Sequence, residues 1–385
     1  METTKDKVPT TGKKHGLLKV DSGNPDETIR TLLRNWLKET KLSAVLAPAC
    51  SANGVVTTAL VSDPEKLTEV MPLQPAMAVN AASIVADIAR LPSVGDKVGL
   101  LLRPCEMRAV VELVKLRQVL LDSLVLIGVD CAGTYKAAMY REMRGENKDF
   151  DNAFVRNQAD YSGNVDFRTA CQMCEYPKPL VFDLAIGWLG LDPDKELWLE
   201  ASTDKGAALL EGLALVEAEE PEPRRKLLAG LSEKRQKRAE ERIAEMDKAM
   251  TGASNLVRYF ADCLNCHNCM RVCPVCYCHE CFFESDTFLR DLSEHVRVSK
   301  RKGLTRMPSE TLLFHLTRMN HMMTSCVACG ICEDSCPVTV GLATLFKKVS
   351  RNAQAEFDYV SGRSLEEQLP LTTFREDEFK KVGEE

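Results

Sequence analysis

The sequence lacks several features that would place it in a familiar class. It has no run of 18 uncharged apolar residues, which a membrane-spanning helix would require. Its N-terminus is charged and has no apolar core of the kind found in a signal peptide. The net charge is -6, so there is no general excess of Lys and Arg to neutralise phosphates. We therefore expect a cytoplasmic protein with no membrane span and no affinity for nucleic acid.

Disulfide bonds are not expected either, although the chain has 16 cysteines. Without an export signal these thiols would lie in a reducing compartment, where metal binding explains so many cysteines better. At 385 residues the chain is long enough for two or three domains, each with its own apolar core.

Apolar patterning predicts an α/β N-terminal domain followed by a mainly α-helical domain, and the cysteine spacing at 263–274 and 326–337 predicts that the latter is a dicluster ferredoxin-like domain. Residues 1–22 are polar and are predicted to be a flexible tail, followed by the α/β domain at 23–200. Residues 201–250 are predicted to be a charged, solvated helical linker, although Ile243, Met246 and Met250 fall at helical spacing and leave docking on a neighbour open. The helical domain is predicted at 251–346. Residues 347–385, with anchors such as Phe374, are predicted to dock on a partner.

Within the α/β domain, Asn24 followed by Pro25 predicts the start of a helix that runs to about residue 39. Short apolar runs at 43–47, 98–102 and 123–129 predict strands of an at least partly parallel sheet, and 105–116 is predicted to be helical. In the C-terminal domain, 282–323 is predicted to form two helices joined by a turn near 303–308.

Two copies of the motif C-x2-C-x2-C-x3-C-P lie at 263–274 and 326–337. In this motif three thiolates ligate one [4Fe–4S] cubane and the fourth Cys ligates the other cubane. The predicted ligands of one cluster are Cys263, Cys266, Cys269 and Cys336. Those of the other are Cys326, Cys329, Cys332 and Cys273. Zinc is the main alternative, but zinc sites use two Cys pairs or Cys/His mixtures rather than this triple followed by Cys-Pro. The motifs therefore predict one-electron transfer.

Three further cysteines, Cys276, Cys278 and Cys281, follow the first motif and are not explained by two cubanes. They are interpreted either as buried free thiols, which we favour, or as ligands of an extra metal with Cys50 or His279.

Four pieces of the α/β domain, at 53–60, 97–106, 124–131 and 171–187, match one known family and occur in its order. On these pieces the domain resembles the coenzyme F420 hydrogenase/dehydrogenase beta-subunit family, which includes the beta subunits of deazaflavin-linked hydrogenases and formate dehydrogenases. The resemblance implies that this domain binds FAD and a third [4Fe–4S] cluster. The implied ligands of that cluster are Cys105, Cys131, Cys171 and Cys174.

The flavin contacts are predicted around Asn53 and Gly54. This pair, followed by Val-Val-Thr-Thr, predicts a tight turn that enters a helix whose N-terminal amides meet a pyrophosphate, with Thr57 and Thr58 as hydroxyl donors. A plain turn explains the same residues nearly as well. No G-x-G-x-x-G motif occurs, so a Rossmann NAD site is not predicted.

Two functional hypotheses follow. In the first, the chain is the electron-transfer beta subunit of a multi-subunit formate dehydrogenase or hydrogenase and converts hydride transfer into one-electron transfer between FAD and the clusters. Its redox partner would be coenzyme F420, a nicotinamide or ferredoxin. In the second, it is a flavin-free ferredoxin-like adaptor of a heterodisulfide-reductase-like complex. No Ser/His/Asp triad or paired carboxylates were recognised, so we predict no catalytic residue here and expect the formate or hydrogen site on a separate catalytic subunit.

Overall fold

The computed structural model describes residues 14–21, 23–51, 54–91, 95–158, 161 and 163–372. These residues form one seven-stranded sheet with the order β1-β7-β6-β5-β4-β2-β3. The strands are β1 His15–Lys19, β2 Ala44–Cys50, β3 Val56–Val61, β4 Val98–Leu102, β5 Leu124–Val129, β6 Leu184–Gly187 and β7 Glu196–Ala201. Strands β2, β4, β5 and β6 run parallel, whereas β3, β7 and β1 pair antiparallel with their neighbours. The predicted α/β domain with a partly parallel sheet is thereby confirmed.

Helices account for most of the remaining regular structure in the described residues. They are α1 Pro25–Lys38, α2 Ala81–Ile88, α3 Pro104–Lys115, α4 Ala137–Glu146, α5 Phe150–Arg156, α6 Thr169–Gln172, α7 Asp204–Leu210, α8 Glu222–Met250, α9 Ala253–Tyr259, α10 Asn268–Arg271, α11 Leu292–Lys302, α12 Thr311–Met322, α13 Ile331–Asp334 and α14 Leu342–Glu356. Short 3-10 helices occupy Pro64–Glu69, Phe282–Glu284 and Asp286–Phe288. Helix α1 begins as predicted, because the Asn24 side chain accepts a hydrogen bond from the Glu27 amide at 3.0 Å and Pro25 opens the first turn. No helix in the described ranges combines the length and apolar character needed to cross a membrane.

The two faces of the sheet bury separate apolar cores, because neighbouring side chains on a strand point to opposite faces. On β5, Val125 and Ile127 pack with α1 and α7, while Leu124 and Leu126 pack into the other core. That second core also contains Phe314 and other apolar residues from the cysteine-rich part of the chain. The C-terminal half is therefore packed against one face of the sheet.

Helix α8 covers most of the predicted linker, but it is not the solvated helix that its charge pattern suggested. Six of its residues are buried, namely Arg224, Leu228, Leu231, Arg235, Ala239 and Met246. Arg224 donates from Nη2 to Asp130 Oδ1 at 3.0 Å just beyond β5. The alternative interpretation, in which this helix docks on a neighbouring part of the chain, is therefore the better one. Met246 belongs to the second core, which it shares with apolar residues of the cysteine-rich half.

Both predicted tails contain ordered structure. Residues 15–19, assigned to a flexible tail, form β1 and pair with β7. At the other end, the Tyr359 hydroxyl donates to Glu112 Oε1 at 2.5 Å and the Gly362 amide donates to the same oxygen at 2.7 Å. The described part of the predicted docking tail therefore folds onto helix α3 of its own chain. Phe374 lies outside the described residues.

Candidate metal centres

Four cysteines meet beside the carboxyl ends of the central parallel strands. Cys105 lies in the first turn of α3 directly after β4, Cys131 lies two residues beyond β5, and Cys171 and Cys174 lie in and just after α6. The Cys105 thiol interacts electrostatically with Cys131 and Cys174, and the Cys131 thiol with Cys171 and Cys174. The structure thus brings together the four residues implied by the family resemblance, at the edge of the sheet where α/β proteins bind ligands.

Burial affects the protonation of two of these thiols, Cys105 and Cys131. It raises the pKa of Cys105 well above its usual range and raises the pKa of Cys131 to about 12. Without metal such thiols stay neutral, because a thiolate in a low-dielectric environment needs a compensating cation. Iron bound by these thiols would supply that compensation on displacing their protons. A set of four thiols fits a [4Fe–4S] cluster.

The cysteines of the two repeated motifs also fall into two sets. Cys269 has Cys263, Cys266 and Cys336 as its thiol neighbours. Cys332 has Cys329, Cys273 and Cys326 as its thiol neighbours. Each set therefore contains three cysteines of one motif and the last cysteine of the other, which is the exchange predicted from the spacing. Their role as cluster ligands stays a prediction.

The two motif loops share an unusual backbone conformation. Asn265 and Ala328, each two residues after the first Cys of a motif, have φ of 55° and 54°. Their amides donate to the sulfurs of Cys263 and Cys326, in both cases at 3.4 Å. Amide donors aimed at ligand sulfurs stabilise the negative charge there and are one of the means by which a protein sets cluster potential.

The N-terminal set lies next to the set that contains Cys329, because Cys105 and Cys329 interact electrostatically. Arg168 fills the junction. Its guanidinium is buried, donates to the Cys329 carbonyl oxygen at 3.0 Å and forms an ion pair with Asp334. Gly330 is required at this junction, since a Cβ there would lie 2.3 Å from the Cβ of Ala170. The N-terminal set and the set that contains Cys329 are therefore direct neighbours.

The predicted flavin contacts lie on a strand, which corrects the sequence interpretation. Thr57 and Thr58 belong to β3 and pair with Ala49 and Pro48 of β2, so no helix N-terminus follows Gly54. The β-branched residues at 55–58 favour a strand, and this preference prevailed. Asn53 lies outside the described residues.

A cavity of about 200 Å³ opens beside Gly54 and is also lined by Ala76, Ala78, Ala137 and Tyr140. A smaller adjoining cavity is lined by Thr57 and Thr58 together with Gln74 and Arg103.

Two buried polar atoms near these cavities have no hydrogen-bond partner among the described residues. They are the Gln74 Oε1 acceptor and the Asn80 Nδ2 donor. Arg103 links this loop to the neighbouring cysteines, since its Nη2 donates to the carbonyl oxygens of Gln74 and Ala76 at 2.9 and 2.7 Å. The guanidinium also opposes the effect of burial on the Cys131 pKa. Sequence reasoning missed this loop, which carries no recognisable motif.

The three extra cysteines lie together beside the motif sets, and Cys276 also interacts electrostatically with Cys269 and Cys273. Cys276 interacts electrostatically with Cys278 and Cys281. Cys278 is exposed and the other two are half-buried, which corrects the interpretation of all three as buried thiols. Their suggested fourth partners have other contacts. Arg144 Nη1 donates to Cys50 Sγ at 3.1 Å, and His279 lies 3.2 Å from Arg90 Nη1. Across the described part of the chain, no three His, Cys, Asp or Glu side chains converge closely enough to hold a single metal ion.

Helix α12 brings two residues to the motif cysteines that sequence reasoning missed. His315 Nε2 lies 3.3 Å from Cys263 Sγ, and Arg318 Nη2 donates to the Cys269 carbonyl oxygen at 3.0 Å. Their spacing of three residues puts both on one face of a helix. That spacing was readable in the sequence, but the packing of the helix against the motif loops was not.

Comparisons with known proteins agree with the family resemblance. The chain is 26% identical over 300 residues to F420-dependent formate dehydrogenase subunit beta of Methanocaldococcus jannaschii, covering 69% of this chain and 74% of that protein. It is 28% identical over 296 residues to F420-dependent formate dehydrogenase 1 subunit beta of Methanococcus maripaludis, covering 69% and 73%. No family model matches the chain.

Among solved structures, a chain of the F420-reducing [NiFe] hydrogenase complex from Methanosarcina barkeri is 16% identical, with 62% of this chain and 94% of that chain covered and a TM-score of 0.41. That score is too low to support an inference about a shared fold. The two curated relatives confirm the resemblance predicted from the sequence, together with the expectation of an oxidoreductase subunit.

Proposed function

We propose, from the homology of this chain with F420-dependent formate dehydrogenase beta subunits, that it is the iron–sulfur flavoprotein subunit of such an oxidoreductase complex. It would hold three [4Fe–4S] clusters and one FAD, and would pass electrons between a hydride carrier and a separate catalytic subunit. The hydride carrier would be coenzyme F420 or a nicotinamide. Ferredoxin is the further candidate as a redox partner.

The observation that carries this proposal is the serial arrangement of the cysteine sets. Cys105 neighbours Cys329, and Arg318 interacts electrostatically with Cys273 and Cys332 of that same set and with Cys269 of the remaining set. At the far end of the series Cys266 is exposed, where a partner has access. Clusters carry single electrons, so three sets in sequence suit a conductor from the α/β domain to the protein surface.

The residues beside the N-terminal set are suited to binding a flavin. A bound FAD exchanges two electrons with a hydride carrier and single electrons with a cluster. Gln74 would offer its free Oε1 as an acceptor and Asn80 its free Nδ2 as a donor. Arg103 would hold the loop that carries Gln74 against the N-terminal set, through its hydrogen bonds to the carbonyl oxygens of Gln74 and Ala76.

A flavin-free adaptor for a heterodisulfide-reductase-like complex is the second candidate. The cavity beside Gly54 favours it, because about 200 Å³ is less than the roughly 300–1,000 Å³ of typical ligand pockets. The two candidates share the cysteine sets of the ferredoxin-type motifs and differ in the α/β domain.

Iron and flavin content of the anaerobically purified chain tests both candidates. The first predicts about twelve irons and one FAD per chain, since each cubane holds four irons. The adaptor predicts about eight irons and no flavin. If the first candidate is right, the double variant Cys105→Ser/Cys174→Ser should contain about eight irons per chain instead of about twelve. Cys50→Ser is the matched control, because Cys50 hydrogen-bonds to Arg144 and belongs to none of the three sets. Twelve irons retained in the double variant would contradict the assignment of the third cluster.

A further inference from the structure

Helix α12 holds a buried cation between the two cysteine sets of the repeated motifs. Arg318 is only 5% exposed. Its Nη2 donates to the Cys269 carbonyl oxygen, whereas its Nε and Nη1 have no hydrogen-bond partner among the described residues. Its guanidinium lies 4.6 Å from the ring centre of Phe346, which packs along it. Within the described ranges Arg318 forms no ion pair.

An arrangement of this kind is costly unless something negative completes it. A buried guanidinium with two unused donor groups loses its hydration without a full replacement. Among the other buried arginines, Arg224 meets the carboxylate of Asp130 and Arg168 that of Asp334, whereas the buried Arg108 and Arg235 donate to backbone carbonyl oxygens. The neighbours that interact most with Arg318 are thiols of both sets, Cys269 from one and Cys273 and Cys332 from the other. The negative charge that suits Arg318 is therefore that of the thiolate-ligated clusters.

We propose that Arg318 is a positioning residue whose charge raises the reduction potentials of both ferredoxin-type clusters. Reduction adds one negative charge to a cluster, and a fixed cation nearby stabilises the reduced form more than the oxidised form. One residue placed between the sets acts on both potentials together. This inference rests on the proposed function, since it requires the clusters to be present.

His315, one helical turn before Arg318, provides a contrast within the same helix. It lies against Cys263 at 3.3 Å and stacks on Phe260 with ring centres 4.1 Å apart. Among the described residues, Cys263 is the one thiol within hydrogen-bond distance of His315, and it belongs to a single set. Substitution of His315 should therefore change one potential, and substitution of Arg318 should change two.

The test is a redox titration of the anaerobic, iron-loaded chain followed by electron paramagnetic resonance. Iron analysis of the wild type comes first, and absence of the two clusters would count against the proposed function rather than against the role of Arg318. Arg318→Gln, which keeps a donor but loses the charge, should shift both potentials to more negative values. Arg318→Lys should shift them less, and His315→Phe should shift that of the Cys263 set alone.

Arg156→Gln is the matched control, because Arg156 is a partly exposed arginine paired with Asp194 at 2.8 Å and contacts no cysteine set. Unchanged potentials in an iron-replete Arg318→Gln protein would overturn the proposal, as would an equal shift in Arg156→Gln. Should Arg318→Gln lose iron, Arg318→Met, which also removes the charge but keeps a long side chain in the buried site, decides the matter. Both potentials should again fall, and unchanged potentials would overturn the proposal.

Discussion

Buried polar groups in this chain are of two kinds, those with a full set of hydrogen-bond partners and those with unpartnered atoms. Asp130 is fully satisfied, since it accepts from the amides of Trp188 and Leu189 at 3.0 and 3.1 Å and pairs with Arg224. Gln74 and Arg318 instead leave buried atoms without partners among the described residues. Folded proteins rarely tolerate such atoms, because each costs about 1–3 kcal/mol. Both lie beside predicted cofactor positions, which supports their use by a bound group.

Asp26 provides a residue-scale prediction about pH. Burial raises its pKa from 3.8 to about 6, although its Oδ1 accepts a hydrogen bond from the Leu73 amide at 3.0 Å. The folded state therefore holds the Asp26 proton more tightly than the unfolded state does. The favourable contribution of this proton is present below about pH 4 and is lost as the pH rises towards 6.

Asp26→Asn keeps the acceptor and removes the charge. We expect it to raise the free energy of unfolding by roughly 1–3 kcal/mol at pH 8 and by less at pH 5. Urea unfolding of the variant and the wild type at the two pH values measures this. The exposed Asp87→Asn is the control and should have little effect at either pH. An equal gain for Asp26→Asn at both pH values would contradict the raised pKa.

At the scale of elements, the sequence predicted helices and strands that depend on local signals, but not the burial that depends on contacts between distant parts of the chain. The run at 98–102 is a strand at the same residues in the structure, and the turn at 303–308 separates α11 from α12 as predicted. These signals are local. Helix α8 was recognised as a helix, but its buried Arg224 and Arg235 look like surface charges in the sequence, because their partners lie far away in the chain. Strand β3 was missed because the turn before it was given more weight than its β-branched residues.

Helix α8 also supports the junction between the cysteine sets. Ala239 is fully buried and packs with Ala170 and Met173 of the α6 segment and with Ala343 of α14. A larger side chain there would force apart the segments that carry Cys171 and the second motif. We expect Ala239→Phe to lower the free energy of unfolding by about 1–3 kcal/mol, the usual cost of overpacking a core.

The matched control is Ala244→Phe, on the exposed side of the same helix, for which little change is expected. Thermal unfolding under anaerobic conditions compares the two variants. Equal stability of Ala239→Phe and Ala244→Phe would mean that α8 does not clamp the junction.

At the scale of the whole molecule, the order of the cysteine sets predicts the path of electrons. The motif spacing alone predicted which cysteines belong together, since ligand exchange is a property of the motif. The spacing did not predict where the N-terminal set lies relative to the other two sets. Cys105 and Cys329 are far apart in sequence and come together through the packing of α6 on the second motif loop. The structure puts the set containing Cys329 in the middle.

Replacing Cys329 should therefore interrupt electron transfer between the clusters held by the two outer sets. The Cys329→Ala variant is mixed with a chemically reduced deazaflavin. We expect the cluster held by the set of Cys105 to become reduced and the cluster held by the set of Cys263 to remain oxidised, because the middle cluster is missing or altered. Freeze-quench electron paramagnetic resonance would follow the two sets, after iron analysis has shown that the outer clusters are retained. Cys278→Ser is the control, since Cys278 is exposed and lies outside the three sets. Reduction of the Cys263 set at the wild-type rate in Cys329→Ala would mean that electrons reach it by another route, and the arrangement in series would then not be the functional path.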